Sequence, residues 1–163
     1  MAEIVILALP PTGKDVHAQY GAYQWCNMIG RAEEWDYHTF RAMMQLGHII
    51  LHELRDDGAL AARFGIELMR DAQGPYISFI YYQGRFKVSY AIEITRHLFK
   101  LSRQYMSEQG EPGPGRLYVY GRRMWFEVFK RLGIECRDGW IDGNQEVFRD
   151  GNFGRQQQRA DVV

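Results

Sequence analysis

Apolar residues occupy every second position over 62–68, where the chain reads Ala-Arg-Phe-Gly-Ile-Glu-Leu. A period of two residues predicts a β-strand with one buried face. After a predicted turn over 71–74, the run Tyr76–Tyr82 is rich in aromatic and β-branched residues. Such residues favour the pleated surface of a sheet, so we predict the strongest strand of the chain here.

Helical periodicity follows directly after this strand. Apolar residues recur every three or four positions, which predicts an amphipathic helix of roughly four turns, at Ala91, Ile94, Leu98, Leu101 and Tyr105. A later helix, ended by Gly133, has apolar positions at Trp125, Val128, Phe129 and Leu132. Two earlier helices are predicted over Val16–Ile29, capped by Asp15, and from about Tyr37 onward.

Three further segments have the composition of strands. They are predicted from runs of apolar residues bounded by proline, glycine or aspartate, at Ile4–Leu9, at Arg116–Tyr120, and in a closing hairpin of Glu135–Ile141 and Gln145–Arg149 around Asp142-Gly143-Asn144.

The segment His48–Leu54 fits two patterns. Its apolar residues extend the preceding helical stripe, but the run also precedes Arg55-Asp56-Asp57-Gly58, which is typical of a hairpin turn. We predict a strand, because the alternating segment at 62–68 needs a partner. The histidines His48 and His52 do not form a metal site by this interpretation, since no third ligand stands at a suitable spacing.

The predicted order is therefore β-α-α-β-β-β-α-β-α-β. Mixed order of this kind is typical of an α+β fold in which helices flank a central, mostly antiparallel sheet. We expect a single domain over 1–153, because no linker divides the chain, and a flexible tail over 154–163, where the sequence is rich in Gln and Arg.

Composition excludes several classes of function. Lys plus Arg and Asp plus Glu each number 20, so the formal charge is zero, and no nucleic-acid surface is expected. Two cysteines are too few for a disulfide framework or a cysteine-based metal site. The apolar run before Pro10 is short and lacks a basic leader, so we expect no membrane segment and a cytoplasmic protein.

The element order resembles the GNAT superfamily of N-acetyltransferases. Residue-level similarity lies in the segment Arg122-x-x-Trp125-x-x-x-Phe129-Lys-Arg-Leu-Gly133-Ile, where the family typically has Asn-x-x-Ala-x-x-x-Tyr-x-x-x-Gly-Phe. The size and the spacing of this helix are also similar to acetyltransferase-fold proteins of tailed phages, of the internal virion protein A type. That narrower likeness implies a role in virion assembly in the host cytoplasm.

The resemblance implies acetyl-CoA as cofactor, with its pyrophosphate on backbone N–H groups at the start of the long helix. The family motif there is Gln/Arg-x-x-Gly-x-Gly/Ala, whereas this chain reads Gln-Gly-Arg-Phe-Lys-Val-Ser-Tyr-Ala over 83–91 and lacks both required glycines. The residues that remain for cofactor binding are Tyr82, Arg85, Lys87, Ser89 and Tyr90. Ser89 is also expected to cap the helix, and aromatic residues of the two neighbouring strands either line a cleft or pack across the sheet.

Catalysis in the family needs a general acid for the CoA thiolate and a base for the amine. Where many members have the acidic Tyr, this chain has Phe129, which cannot donate a proton. Tyr120 is the nearest replacement, and solvent is the alternative. Glu67, or Glu53, is the candidate base.

Three functions follow from these observations. The first is an acyl-CoA-dependent N-acyltransferase with a degenerate cofactor loop, acting on an amine. The second is a catalytically inactive GNAT-like phage protein that acts in virion assembly or binds a protein partner. The third is a module that binds a small ligand in the same cleft. The sequence contains no signal for an oligomeric state.

Overall fold

The structure is a computed structural model that describes residues 3–27, 35–119, 123–131 and 133–142. Tyr120, the predicted strand Gln145–Arg149 and the predicted tail 154–163 lie outside the described residues. The elements are β1 (Ile4–Ala8), α1 (Val16–Asn27), α2 (Tyr37–Gln45), β2 (Ile49–Asp56), β3 (Ala59–Asp71), β4 (Gly74–Gly84), α3 (Val88–Glu108), β5 (Arg116–Val119), α4 (Arg123–Arg131), β6 (Cys136–Arg137) and β7 (Trp140–Asp142).

The strands form one sheet in the order β1-β2-β3-β4-β5-β7-β6. Only the β4–β5 pair among them is parallel, and the other described pairs are antiparallel. The parallel pair is possible because α3 connects the two strands as a crossover. The predicted α+β class, with a mostly antiparallel sheet, is therefore confirmed.

The ambiguous segment at 48–54 is a strand, as predicted. It forms most of β2, which pairs with β1 on one side and β3 on the other. Leu51 and Leu54 are almost fully buried. A central strand buries side chains on both faces, which explains why its sequence lacks a clear period of two.

Helices cover both faces of the sheet. On one face, α1 and α2 pack over β2, β3 and β4 around Tyr23, Phe40 and Tyr81. On the other face, α3 and α4 enclose the larger part of the core. The stripe of α3 that the sequence predicts is buried at Ala91, Ile94 and Leu98. Within the described residues, no helix is long and apolar enough to cross a membrane.

The closing hairpin differs from the prediction. Its turn is at Asp138-Gly139, so the segment predicted as one strand over 135–141 is divided into β6 and β7. Asp138 has a φ of 50° and Gly139 a φ of 87°. Two consecutive positive φ angles are the geometry of a type I′ turn, for which Asp-Gly is a preferred sequence. The Asp-Gly at 142–143 has the same composition, and nothing in the sequence distinguishes the two.

Candidate functional site

The parallel strands β4 and β5 are paired over only a short segment in the middle of the sheet. β4 pairs with β5 only through Ile77–Phe79, and the last pair joins Phe79 to Val119. β4 then continues to Gly84. In the described part of the chain, residues 81–84 pair with β3, and residues 80–84 have no strand neighbour on the β5 side. We call this region, residues 80–84 of β4 with the end of β5 at Val119, the fork.

A β-bulge lies at the start of the fork. On β3, the consecutive residues Gly65 and Ile66 pair with Tyr81 and Phe79 of β4, so Ile80 is the extra residue. A bulge bends its strand, increases the local twist and leaves the extra residue out of the ladder. A Cβ at Gly65 would lie 2.2 Å from Cε1 of Tyr81, so glycine is what admits the Tyr81 ring at this point.

Buried polar contacts hold the bulged strand against α1. The Tyr81 hydroxyl donates to Oε1 of Gln19, and Nε2 of Gln19 donates to the His52 carbonyl over 2.9 Å. Burial raises the pKa of Tyr81 well above its ordinary value, so the hydroxyl remains a donor. A little further along β4, the Cys26 thiol of α1 donates to the Tyr82 carbonyl over 2.9 Å.

Aromatic rings fill the fork on the α3–α4 side. Trp125 of α4 is 5% exposed, and its ring centroid lies 5.2 Å from that of Phe79, 5.4 Å from Tyr82 and 5.3 Å from Phe86. Phe129 follows one turn later, with its centroid 6.0 Å from that of Trp125. We refer to these five residues as the aromatic cluster.

The loop at the end of the fork leads into the N-terminus of α3. Lys87 is the N-cap residue of α3, and its side chain makes no capping hydrogen bond. Ser89 is inside the first turn, so the prediction that it caps the helix is wrong. The first N–H groups of an uncapped helix are donors that favour an anion. The exposed Arg85 lies in the loop beside them.

Two of the predicted cofactor residues are engaged by Asp56 of β2. Tyr90 is fully buried, and its hydroxyl donates to Oδ2 of Asp56 over 2.5 Å. Nζ of Lys87 lies 3.7 Å from the same oxygen. The hydrogen bond from Tyr90, assisted by the nearby Lys87 charge, lowers the pKa of Asp56. Three of the five predicted residues, Tyr82, Arg85 and Ser89, therefore lie at the fork or in its loop and are not held to β2 through Asp56.

The candidate bases occupy different surroundings. Glu67 lies on β3 directly opposite Ser78, on the face that carries α1 and α2. Burial, with the neighbouring Asp71 and Glu67 carboxylates, raises the pKa of Tyr76 on that same face. Glu53 is mostly buried in β2 and forms an ion pair with Arg55 over 3.0 Å.

A group that the sequence did not indicate lies beside Tyr76. Arg116 of β5 stacks its guanidinium 4.8 Å from the Trp140 ring centroid and 5.5 Å from that of Tyr76. It also forms two hydrogen bonds of 2.9 Å with Asp71, which lower the pKa of that carboxyl to about 2. These residues are distant in sequence and come close together because β4, β5 and β7 are neighbours in the sheet.

Metal chemistry has no support in the described residues, because no group of three or more His, Cys, Asp or Glu side chains there has the geometry to hold an ion.

Comparison with solved structures relates this architecture to acetyltransferases. A predicted acetyltransferase from Clostridium acetobutylicum, solved with acetyl-CoA, aligns with a TM-score of 0.53 and 10% identity over 92% of this chain and 99% of that one. An N-acetyltransferase from Staphylococcus aureus Mu50 aligns at 0.52 and 13% identity over 82% of each chain. A Trypanosoma brucei acetyltransferase aligns at 0.51 and 9% identity, over 83% of this chain and 95% of that one.

No protein-family model matches the sequence, and a search of curated proteins found no match. At these identities the likeness defines the fold alone. The chain has a divergent GNAT-type fold, the fold of N-acetyltransferases, as its element order indicated.

Proposed function

We propose that this chain binds an acyl-CoA, acetyl-CoA in the first instance, at the fork and transfers the acyl group to an amine. The observation that carries this proposal is the fork itself: in the described part of the chain, the last parallel pair joins Phe79 to Val119, and a bulge follows it in β4. The backbone of β4 beyond this point has hydrogen-bonding groups available to a ligand that lies along it.

The phosphate end of the ligand fits the start of α3. The N–H groups of its first turn are not capped by a side chain, and a helix N-terminus stabilises negative charge. Arg85 supplies an exposed positive charge at the same end, and the Ser89 hydroxyl supplies a further donor. Lys87 and Tyr90 act indirectly, by fixing the start of α3 to Asp56.

When bound, the acyl-CoA supplies an activated thioester. Backbone N–H groups at the bulge donate to the carbonyl oxygen, where negative charge develops during attack. Glu67 removes a proton from the attacking ammonium, so that the neutral amine forms the new C–N bond as the C–S bond breaks. Tyr120 or solvent would protonate the departing thiolate, because Phe129 has no proton to give, and the second proton lost by the nitrogen as the amide forms would pass to solvent.

A second candidate function is favoured by the aromatic cluster. Trp125 stands where the GNAT helix pattern typically has alanine, and its buried ring contacts both β4 and the loop before α3. A ring of that size occupies space on one side of the fork. In this alternative the chain is a non-catalytic GNAT-like protein that binds a protein partner, and a phage-encoded assembly factor is its most specific form.

Isothermal titration with acetyl-CoA tests the two candidates. The first predicts micromolar binding by the unaltered protein, and an absence of heat at millimolar acetyl-CoA would reject it. The second predicts no binding until Trp125→Ala removes the ring, with Phe126→Ala on the same helix as control. For either function we expect a cytoplasmic site of action, in the host cytoplasm if the chain is phage-encoded.

Replacement of Trp125 by alanine also tests the packing of the aromatic cluster. Because this side chain is almost fully buried, we expect Trp125→Ala to lower the free energy of unfolding by about 3–5 kcal/mol. Urea denaturation measures this directly. A loss as small as that of a surface substitution would show that the cluster is not packed as described.

A further inference from the structure

The groove between β1 and α3 is separate from the fork. It encloses about 270 Å³ and is lined by Ile4, Ile6, Glu93, Arg96, His97 and Lys100. Its floor is apolar and comes from β1, whereas its wall is charged and comes from one face of α3. None of these residues has a part in the proposed acyl transfer, so the groove needs an explanation of its own.

β1 is the first strand of the sheet and pairs with β2 alone among the described strands. The Leu9 N–H donates to the Leu51 carbonyl, and the Glu3 carbonyl accepts from the Asp57 N–H. Residues 3 and 9 therefore turn their backbone groups toward β2. In a regular antiparallel ladder these groups alternate, so the N–H and C=O groups of residues 4, 6 and 8 point away from β2, to the outside of the sheet.

Within Ile4–Ala8, the outer edge of β1 has no charged residue, proline or bulge to protect it. Natural edges are blunted by charged residues, prolines or bulges. β1 reads Ile-Val-Ile-Leu-Ala, and its ladder with β2 is regular throughout. Leu7 is 42% exposed. An apolar edge with outward backbone groups is a template for an added strand.

The chemistry of the groove specifies the side chains of that strand. Lys100 is exposed and Arg96 is 33% exposed at the side chain, and Glu93 is the one acidic residue among those that line the groove. The groove therefore has a net positive charge above an aliphatic floor. A glutamate fits both features, because its methylene groups pack on Ile4 and Ile6 while its carboxylate reaches the cations.

His97 is held at the groove by a buried neighbour. Nδ1 of His52 lies 3.1 Å from the Ile50 carbonyl, which can only accept, so Nδ1 carries the proton. Nε2 of neutral His52 then accepts from Nε2–H of His97, 3.1 Å away. This contact fixes the ring of His97 and so gives the groove a rigid wall.

We propose that the β1 edge and the adjoining groove bind an extended, acidic peptide segment of a partner protein by strand addition. The partner strand pairs antiparallel or parallel with β1 through the outward groups of residues 4, 6 and 8. Its acidic side chains face α3, and its apolar side chains cover Leu7 on the other face.

The test uses the full chain and the peptide Thr-Val-Glu-Val-Glu-Val-Thr, blocked at both ends and labelled for fluorescence anisotropy. We expect saturable binding that falls about tenfold for Lys100→Glu. Arg103→Glu is the matched control. It changes the charge of α3 by the same amount, but Arg103 lies beside Gly115 and does not line the groove. This variant should bind the peptide with unchanged affinity. Equal effects of the two variants, or no binding of the unaltered chain, would overturn the proposal.

Amide hydrogen exchange distinguishes strand addition from simple charge attraction. On peptide binding, the amides of Ile6 and Ala8 should gain protection, whereas those of Val5 and Leu7, which face β2, should not change. The same peptide N-methylated at every residue has no backbone N–H to donate to β1, so it should lose affinity. Protection of Ile6 and Ala8 that rises with protein concentration in the absence of peptide would show that a second copy covers this edge, and would also overturn the proposal.

Discussion

One glycine determines the backbone conformation at the end of β4, where the fork ends. Gly84 ends β4 with a φ of +144°, and a Cβ there would lie 2.3 Å from the Ala61 carbonyl oxygen and 2.6 Å from the Ala62 Cα. Gly84 is the only glycine in the predicted cofactor loop over 83–91. Its structural reason, the close approach of the β3 backbone, depends on strand register and is not visible in the sequence.

Replacement of Gly84 tests this close approach. Because backbone atoms cannot move aside as a flexible side chain can, we expect Gly84→Ala to lower the free energy of unfolding by about 2–3 kcal/mol. Gly110 also has a positive φ of 74°, but no atom lies within 4 Å of its Cβ position, so Gly110→Ala should cost only about 1–2 kcal/mol. Urea denaturation of both variants provides the comparison; an equal loss would argue against the steric explanation.

His52 gives the fold a specific sensitivity to acid. Burial, assisted by His97, lowers the pKa of His52 from 6.5 to about 3. The unfolded chain therefore binds more protons than the folded chain once the pH falls below 6.5. This contribution to stability is complete above that pH and is lost as the pH falls, by up to about 1.4 kcal/mol per pH unit.

We expect His52→Gln to flatten this dependence, although the variant is less stable at neutral pH. The measurement is the free energy of unfolding in urea at several values between about pH 7 and pH 4.5. The exposed His48, just before β2, provides the control, and His48→Gln should follow the slope of the unaltered protein. Identical slopes for His52→Gln and the unaltered protein would contradict the account.

Individual elements could be predicted where their sequence pattern has a single interpretation. β3 and β4 are the strands that alternation and aromatic content indicated, and α3 buries the predicted stripe. One strand was predicted over 135–141, where the structure has a turn at Asp138-Gly139, because this Asp-Gly pair and the one at 142–143 are equally good turn sequences. The predicted partner strand Gln145–Arg149 lies outside the described residues. The cap of α3 was misplaced because Ser89 is a favourable N-cap residue, whereas the position of Gly84 and the anchor of Tyr90 to Asp56 start the helix at Val88.

Substitutions at the N-terminus of α3 test where the phosphate end of the ligand binds. Since Arg85 is exposed and Lys87 is drawn to Asp56, we expect Arg85→Ala to weaken acetyl-CoA binding by about fivefold to tenfold. Lys87→Ala should have a smaller effect. Arg103→Ala, near the other end of α3, should have none. Calorimetric affinities rank the three variants, and equal affinities for Arg85→Ala and Arg103→Ala would place the phosphates elsewhere.

At the scale of the molecule, the fork depends on how the sheet is assembled. Among the described strands, one parallel pair in an otherwise antiparallel sheet places the end of β5 against the middle of β4. Helix α3 connects these two strands, and its N-terminus follows the end of β4 at the fork. The sequence predicted each of these elements. It could not show that Trp125, Phe86 and Tyr82, from a helix, a loop and a strand, meet in one aromatic cluster, because such contacts depend on tertiary packing.

The position of the ligand is the central claim, and an amide-resolved NMR titration with acetyl-CoA tests it most directly. We predict chemical-shift changes concentrated in β4 over 80–84 and in the first turn of α3 at Val88–Tyr90, with saturation in the micromolar range. The amides of β1 should not respond. An absence of shifts at millimolar acetyl-CoA, or shifts confined to residues away from the fork, would contradict the account.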